Sequence, residues 1–398
     1  MAFSDLLGSG QQHLIRITDQ AVSCFPNLGR GRFGEPINLG KLEFAGEFNP
    51  AHIRLADLDG SGAADILYWQ SGSVQIFINL SGHGFAAPVT ITLPEGLRYE
   101  ALTSVSVADL QGLGCSSLVV TSNTCKPDLE PVHWRCDFVS NSKPYLLCAT
   151  DNNMGAAGEV VYRSSVQEWL DEKALLQDPS QAVSEMPFPM HLVSEQRQFD
   201  QITGNHLSQF FAYRLGYYDG VEREFRGFGL LLQTDTESAP ATETQGFSAP
   251  VLSKTWFHTG KTLHMAVTDA WADDALLAPL GSPLCTQRVD GNEQIHTDWD
   301  APTLRDAART LSGSVLRTEI LGVDGNCVPY SVTQSRYGVR LLQARSAHDN
   351  YSVMLPFVIE QRSLQYERQG DDPLCQHQIN LTMDEYGSVN HAVSVACA

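Results

Sequence analysis

In the first third of the chain, short apolar runs alternate with polar turns at a fixed interval. Leu14–Ile17, Ile66–Trp69 and Leu118–Val120 are strand-forming runs, and each follows a turn of the form Asp-x-x-Gly-x-Gly. The turn Asp5-Leu-Leu-Gly-Ser-Gly10 returns as Asp57-Leu-Asp-Gly-Ser-Gly62 and as Asp109-Leu-Gln-Gly-Leu-Gly114, a spacing of 52 residues both times. Phe25 and Phe77, Asn27 and Asn79, Phe33 and Phe85, and Pro36 and Pro88 keep the same interval of 52. A second strand reads Val74–Ile78 in the middle copy, and a loop with Gly, Phe and Pro closes the unit. The pattern predicts a small antiparallel meander whose length suits a blade repeat of about 40 to 50 residues. One such sheet cannot bury both faces alone, so successive units must pack face to face. Three copies fall short of the about four to eight blades of a closed propeller. The first copy is expected to begin at its glycine turn, with no earlier strand.

After Ser122 the period fades and the pattern changes. Ser164–Lys173 reads as a helix, capped by Ser164 or Ser165, with Val166, Trp169 and Leu170 on one face; Glu168 and Glu172 ahead of Lys173 suit the helix dipole, the competing reading being a solvated face. Met186-Pro-Phe-Pro189 is a stiff connector. Gly216–Gly229 predicts a hairpin turning at Asp219-Gly220, with Glu222, Glu224, Arg226 and Phe228 on one side of the second strand. Ser238–Pro250 reads as a surface loop or boundary, and Val315–Ile320, Tyr337–Leu342, Leu364–Arg368 and Gln378–Met383 alternate as strands. Asp384–Gly387 reads as a further turn. The predicted fold is mainly β: three blades of a partial propeller, then a large antiparallel sheet, with one short helix. The expected divisions are residues 1–150, 151–240 and 241–398.

Composition narrows the function. The 398 residues carry 26 Lys and Arg against 46 Asp and Glu, a net charge of −20, which disfavours nucleic acid and anionic membrane surfaces as partners. Nine cysteines form no CxxC pair, and His133-x-x-Cys136 stands without a second ligand pair, so neither zinc nor a disulfide framework is expected. No basic segment with an apolar core opens the chain and no apolar run is long enough to span a bilayer, so neither a signal peptide nor direct membrane insertion is predicted.

Two places could carry chemistry. Asp57, Asp59, Ser61, the Ala63 carbonyl and Asp65 fall on alternate positions of an oxygen-rich loop, the arrangement that wraps a hard cation, and calcium is the candidate cofactor. This loop resembles the cation loops of FG-GAP repeats in integrin α-chain propellers. The sister copies offer Asp5, Leu7, Ser9, Gln11 and His13, and Asp109, Gln111, Leu113, Cys115 and Ser117, which are poorer donor sets. The competing reading keeps these aspartates as turn formers through Asx hydrogen bonds. Glu222 and Glu224 could form a carboxylate pair for glycoside hydrolysis, but ion pairing on the sheet, with Phe225 and Phe228 packed together, is the preferred reading.

Several segments in fixed order together resemble the B component of insecticidal toxin complexes, the group that includes SpvB-like virulence proteins. They are the glycine-turn repeats, Tyr162–Lys173, Tyr217–Gly229, Val315–Glu319, and Tyr366–Arg368 followed by Asp384–Gly387. The resemblance implies propeller blades over residues 1–150, then the family's middle N-terminal and middle C-terminal regions. It implies a non-enzymatic scaffold whose propeller docks on the pore-forming A component and whose shell encloses the C-component toxin. It further implies synthesis in the cytoplasm and release as part of a secreted complex. Against the family pattern the chain reads as a fragment, without early blades or downstream shell repeats. The alternative class is a calcium-braced propeller for adhesion or ligand binding.

Overall fold

An aspartate at the end of a strand turns the chain back through two glycines in the left-handed region, and this happens three times: Gly8 and Gly10, Gly60 and Gly62, Gly112 and Gly114. The computed structural model describes residues 1–122, 132–140, 143–182, 184–237, 250–272, 277–371 and 373–397. They fall into two compact units, Met1–Leu147 with Phe188–His191, and Cys148–Pro187 with Leu192–Ala398.

Among the described residues, the first unit holds three antiparallel repeat sheets and a separate two-stranded ribbon. The first sheet contains β1 (Ala2–Ser4), β2 (His13–Ile17) and β3 (Val22–Phe25), is followed in the chain by the ribbon of β4 (Asn27–Gly29) and β5 (Arg32–Phe33), and is completed by β6 (Ile37–Asn38). The second is a four-stranded meander of β7 (Ile53–Ala56), β8 (Asp65–Gln70), β9 (Ser73–Phe77) and β10 (Val89–Thr92). The third contains β11 (Thr103–Ala108), β12 (Ser117–Ser122) and β13 (Val132–Cys136). The first aspartate turn is therefore preceded by a strand, contrary to the sequence expectation. Strand β1 is only three residues long and pairs Ala2 with Ile15, too short for an alternation to show.

The sheets lie face to face in register with the repeat. The Ala64 N–H donates to the Asp5 carbonyl at 2.7 Å, and 52 residues on the Ser116 N–H donates to the Asp57 carbonyl at the same distance. Strand β8 is buried on both faces. Ile66 and Tyr68 pack with Leu6, Ile15, Val22 and Cys24 of the first sheet. Leu67 and Trp69 point the other way and pack with Leu118 and Val120 of the third. This is why β8 reads as an unbroken apolar run rather than an alternation, each fully buried side chain contributing about 1.5–3 kcal/mol. In the third copy the period slips. Ser122 pairs with Val132 where Gln70 pairs with Ser73, so Val132 stands 59 positions after Ser73 instead of 52.

The second unit is a thirteen-stranded sheet. It begins with β14 (Ala149–Asp151), β15 (Ala156–Ser164), helix α1 (Ser165–Leu175), β16 (His191–Asp200), β17 (His206–Asp219), β18 (Glu224–Glu237) and β19 (Val251–Phe257). It continues with β20 (Leu284–Val289), β21 (Asn292–Ile295), helix α2 (Ala301–Thr310), β22 (Val315–Gly322), β23 (Ser331–Gln343), β24 (Val353–Gln365), β25 (Leu374–Met383) and β26 (Val389–Cys397). Neighbours on the main path are antiparallel, while β20 joins β23 in parallel, Cys285 opposite Val339, and carries β21 as a hairpin. Leu230 opposite Trp256 links β18 to β19, so the regions before and after residues 238–249, which lie outside the described residues, share one sheet. No helix is long and apolar enough to cross a membrane among the described residues.

Three expectations need correction here. Among the described residues there are two α-helices, not one: α2 is capped by Asp300, whose carboxylate accepts the Thr303 N–H at 3.0 Å, has a proline in its first turn, and buries Ala307 and Ala308. These two alanines and Leu311 follow Leu304 at helical spacing, a signal the sequence carries plainly. Helix α1 forms and Ser164 caps it, but its buried positions are Ser165 and Glu168, while Leu170 is exposed. The predicted strand Leu364–Arg368 ends at Gln365, because Glu367 and Arg368 adopt positive φ.

Candidate functional site

The middle aspartate loop places three carboxylates together, one oxygen of each of Asp57, Asp59 and Asp65 lying within 4.8 Å of the others. The backbone explains how. Asp57 Oδ1 accepts the Ser61 N–H at 3.1 Å and its Oδ2 accepts the Gly62 N–H at 2.9 Å, winding the loop around the side chain. Asp59 Oδ1 accepts the Ser61 N–H at 3.0 Å, and its Oδ2 accepts the Tyr145 hydroxyl at 2.8 Å. Asp65, fully buried, accepts the Leu58 N–H at 2.9 Å and the Asn79 N–H at 2.7 Å. Ser61 Oγ donates to the Ala63 carbonyl at 3.4 Å, so these two donor positions face one another within the loop.

Electrostatics follow from that crowding. Burial pushes Asp65 up to about 6, against the pull of its two backbone N–H donors and with the Asp59 and Asp57 charges adding to the rise. Asp57 is also raised, first by burial and then by Asp59. Asp59 moves down: burial opposes this, but the hydrogen bonds from Tyr145 and Ser61 outweigh it. Each carboxylate oxygen keeps a second lone pair, and oxygens within 4.8 Å of one another fit around one cation at calcium–oxygen distances of about 2.3–2.6 Å. The donor set thus fits a hard cation held by Asp57, Asp59 and Asp65.

The sister loops show what the fold itself requires. Asp5 accepts the Gly10 N–H at 2.6 Å and Asp109 accepts the Gly114 N–H at 2.7 Å, as Asp57 does with Gly62. His13 stands where Asp65 does, and its Nδ1 accepts the Asn27 N–H at 3.0 Å as Asp65 accepts that of Asn79. Turn winding is therefore common to the three repeats and the cross-strand brace to the first two, whereas among the described residues the three-carboxylate cluster belongs to the middle loop.

Glu222 and Glu224 occupy a different setting. Asp219 pairs with Glu224, so the hairpin loop spans four residues rather than an Asp-Gly pair, and Glu222 lies in the loop instead of on the strand. Its carboxylate accepts the Tyr351 hydroxyl at 2.8 Å and faces Arg305 at 3.4 Å and Arg309 at 4.0 Å. Glu224 and Asp219 face the buried Arg226 at 3.0 and 3.1 Å. Phe225 and Phe228 do pack, their centroids 5.5 Å apart, because the irregularity between Gly216 and Tyr218 brings both rings to one face. The charge cluster ties the hairpin to α2 and to the start of β24.

Glu168 is a residue that sequence reasoning misplaced. Instead of facing solvent it is buried, accepting Arg163 at 3.1 Å, Arg214 at 3.0 Å and the Tyr213 N–H at 3.1 Å. The available signal was Arg163, five positions earlier. Arg317 and Glu319 form a second buried pair at 2.7 Å, two positions apart on one face of β22.

Face-packed repeat sheets and a wide antiparallel sheet, with charges held in turn braces and ion pairs, define a mainly β protein. Residues 79–260 match the family described as insecticide toxin TcdB middle/N-terminal region, and residues 306–398 match insecticide toxin TcdB middle/C-terminal region. The chain belongs to the TcdB family of B components of insecticidal toxin complexes. It is 42% identical to a chain of the Photorhabdus luminescens Tc holotoxin pore, with a TM-score of 0.88 over 99% of this chain and 18% of that one. To TcdB2-TccC3 it is 41% identical, with a TM-score of 0.90 over 99% of this chain and 19% of the other. It therefore spans less than a fifth of the length of these relatives. No curated protein matches the chain.

Proposed function

We propose that this chain is part of a non-enzymatic toxin-complex scaffold. The observation that carries the reading is the likeness, along nearly the whole chain, to a component of the Tc holotoxin pore and of TcdB2-TccC3. The three blades supply propeller surface that docks on the pore-forming A component, and the wide sheet contributes to the β-shell around the C-component toxin. Residues 1–150 are the blade region, 151–240 and 241–398 the two parts of the shell sheet. The assembled complex acts outside the producing cell. Glu222 and Glu224 serve as ion-pair partners of arginines, which suits a scaffold better than a hydrolase.

Within that scaffold, a calcium ion at Asp57, Asp59 and Asp65 braces the middle turn and takes no part in a reaction. The convergence of three carboxylates favours this addition.

Mixing the purified chain with full-length A and C components and following co-elution tests the scaffold reading. A complex with either component is expected. Failure to bind both, with active partners supplied, would sink it.

A further inference from the structure

Two cysteines separated in the sequence meet in the last hairpin of the wide sheet. Strands β25 and β26 are antiparallel, and their register sets Cys375 directly opposite Cys397. Opposed residues of an antiparallel pair lie on the same face, with Cα atoms about 4.5–5.5 Å apart. Disulfides bridge Cα separations of about 4.4–6.8 Å. The backbone therefore meets the requirement whether or not this pair is a hydrogen-bonded one.

Among the described residues no other strand cysteine has a cysteine opposite it. Cys24 stands between Ile15 and Ile37, Cys136 opposite Leu118, and Cys285 opposite Val339. Sequence spacing shows no disulfide framework, and register, which spacing cannot show, supplies a single pair.

Where the pair lies gives it a use. Strand β26 is the last on the path of the sheet, its Val389, Val393 and Val395 are exposed, and it holds no Lys, Asp, Glu or Pro to guard an open edge. Cys375 is 2% exposed and packs with Val332, Leu364 and Tyr366. A covalent bond between the opposed positions would tie the open strand to that buried cluster.

We infer that Cys375 and Cys397 form a disulfide that latches β26 to the sheet in an oxidising environment. This goes beyond the scaffold reading and does not depend on it. The oxidant is a small external disulfide. One thiol of the pair, as thiolate, attacks its S–S bond and releases one reagent thiol; the second then displaces the other reagent thiol from the mixed disulfide. Two S–H bonds are lost, one S–S bond forms in the protein as one breaks in the reagent, and two electrons and two protons leave with the reagent thiols.

The full chain is incubated in mixtures of oxidised and reduced glutathione, the remaining thiols are alkylated, and digests are read by mass spectrometry. A peptide joining Cys375 to Cys397 is expected in oxidising mixtures and should be absent in reducing ones. Hydrogen exchange of the β26 amides bonded to β25 should slow by about tenfold or more on oxidation, and Cys397→Ser should remove both effects. Recovery of both cysteines in alkylated form after oxidation of the folded chain overturns the inference. So does joining of either one to the exposed Cys148 or Cys327 instead, or a bridge that leaves β26 exchange unchanged.

Discussion

The stack of repeat sheets and the wide sheet are both antiparallel β structure, yet they bury different things. In the stack, the middle sheet is covered on each face, and its buried groups are mainly Ile66, Leu67, Tyr68, Trp69, Ile76 and Phe77. In the sheet, the buried apolar clusters gather around Val332 and Leu364 and around Ala307 and Val339, while Glu168, Arg226, Asp306, Arg317, Glu319 and Arg340 are buried beside them. A sheet covered by neighbours can rely on side-chain volume alone. One with half-wet faces needs paired charges to pin its turns and helices to particular strands. Asp306, for example, accepts both Arg345 and the Ser352 N–H and so fixes α2 against the entry of β24.

The sharpest way to break this contrast is to remove one charge from the sheet. Glu319 is fully buried, and its Oε1 accepts the Trp271 N–H at 3.0 Å and Arg317 Nε at 2.8 Å. Glu319→Ala strands the Arg317 guanidinium and should cost about 3–5 kcal/mol in chemical denaturation of the sheet unit. Arg317→Met combined with Glu319→Leu should cost less than the single change. A single variant as stable as the wild type would show that the pair does not hold the sheet.

Next in size comes the stack's dependence on volume. Leu58, 1% exposed, lies against Leu118 and Val120, and Leu58→Ala should cost about 2–5 kcal/mol. Hydrogen exchange of the β8 amides would report the first unit directly, and a loss under about 1 kcal/mol would mean that the repeat sheets are loosely stacked.

What the sequence made legible follows from the same contrast. Repetition reveals local geometry three times over, so Asp5, Asp57 and Asp109 mark their turns in the sequence itself, and Asp57, Asp59 and Asp65 do converge. The strand Ala2–Ser4 is too short to announce itself, and the third copy hides its β13 behind an insertion. In the sheet, charge is ambiguous. Glu168 sits on a helix of polar composition and reads as solvated, because the arginine that completes its burial, Arg214, is 46 positions away. Helix α2 was missed although Asp300 and Pro302 mark its start, since strands on either side dominate the pattern. Tertiary pairing decided the burial of Glu168, whereas the cap and spacing of α2 are local signals.

A smaller effect probes the most deeply buried carboxylate of the stack among the described residues. Asp65 has a folded-state pKa of about 6, above its ordinary value of 3.8, so protonation favours the folded form. The stabilisation is complete below the unfolded value and lost as pH rises through the folded one. Asp57 acts in the same direction and Asp59 against it. The melting temperature of the blade unit should fall between pH 4 and pH 6, and Asp65→Asn should flatten that slope. Calcium at Asp57, Asp59 and Asp65 should raise the midpoint at pH 7 and lose its effect in Asp59→Asn. A midpoint indifferent to calcium and to chelator removes the ion from the account.

The smallest change tests what a following blade does. Leu6, Leu58 and Leu110 hold the same place after the three turn aspartates, but they are 0%, 1% and 48% exposed. For the first, the burial has a visible cause: Asn79 of the next sheet donates to the Leu6 carbonyl at 3.0 Å, and the Gly82 loop lies against Leu6 and Leu7. The exposed third leucine marks how far the face-to-face stacking extends among the described residues. Leu110→Ala should therefore change stability by no more than about 0.5 kcal/mol, as surface substitutions do, while the same change at Leu58 is severe. Equal losses at the two positions in denaturant titration would mean that Leu110 is covered in solution, and that the third blade has a partner on its outer side.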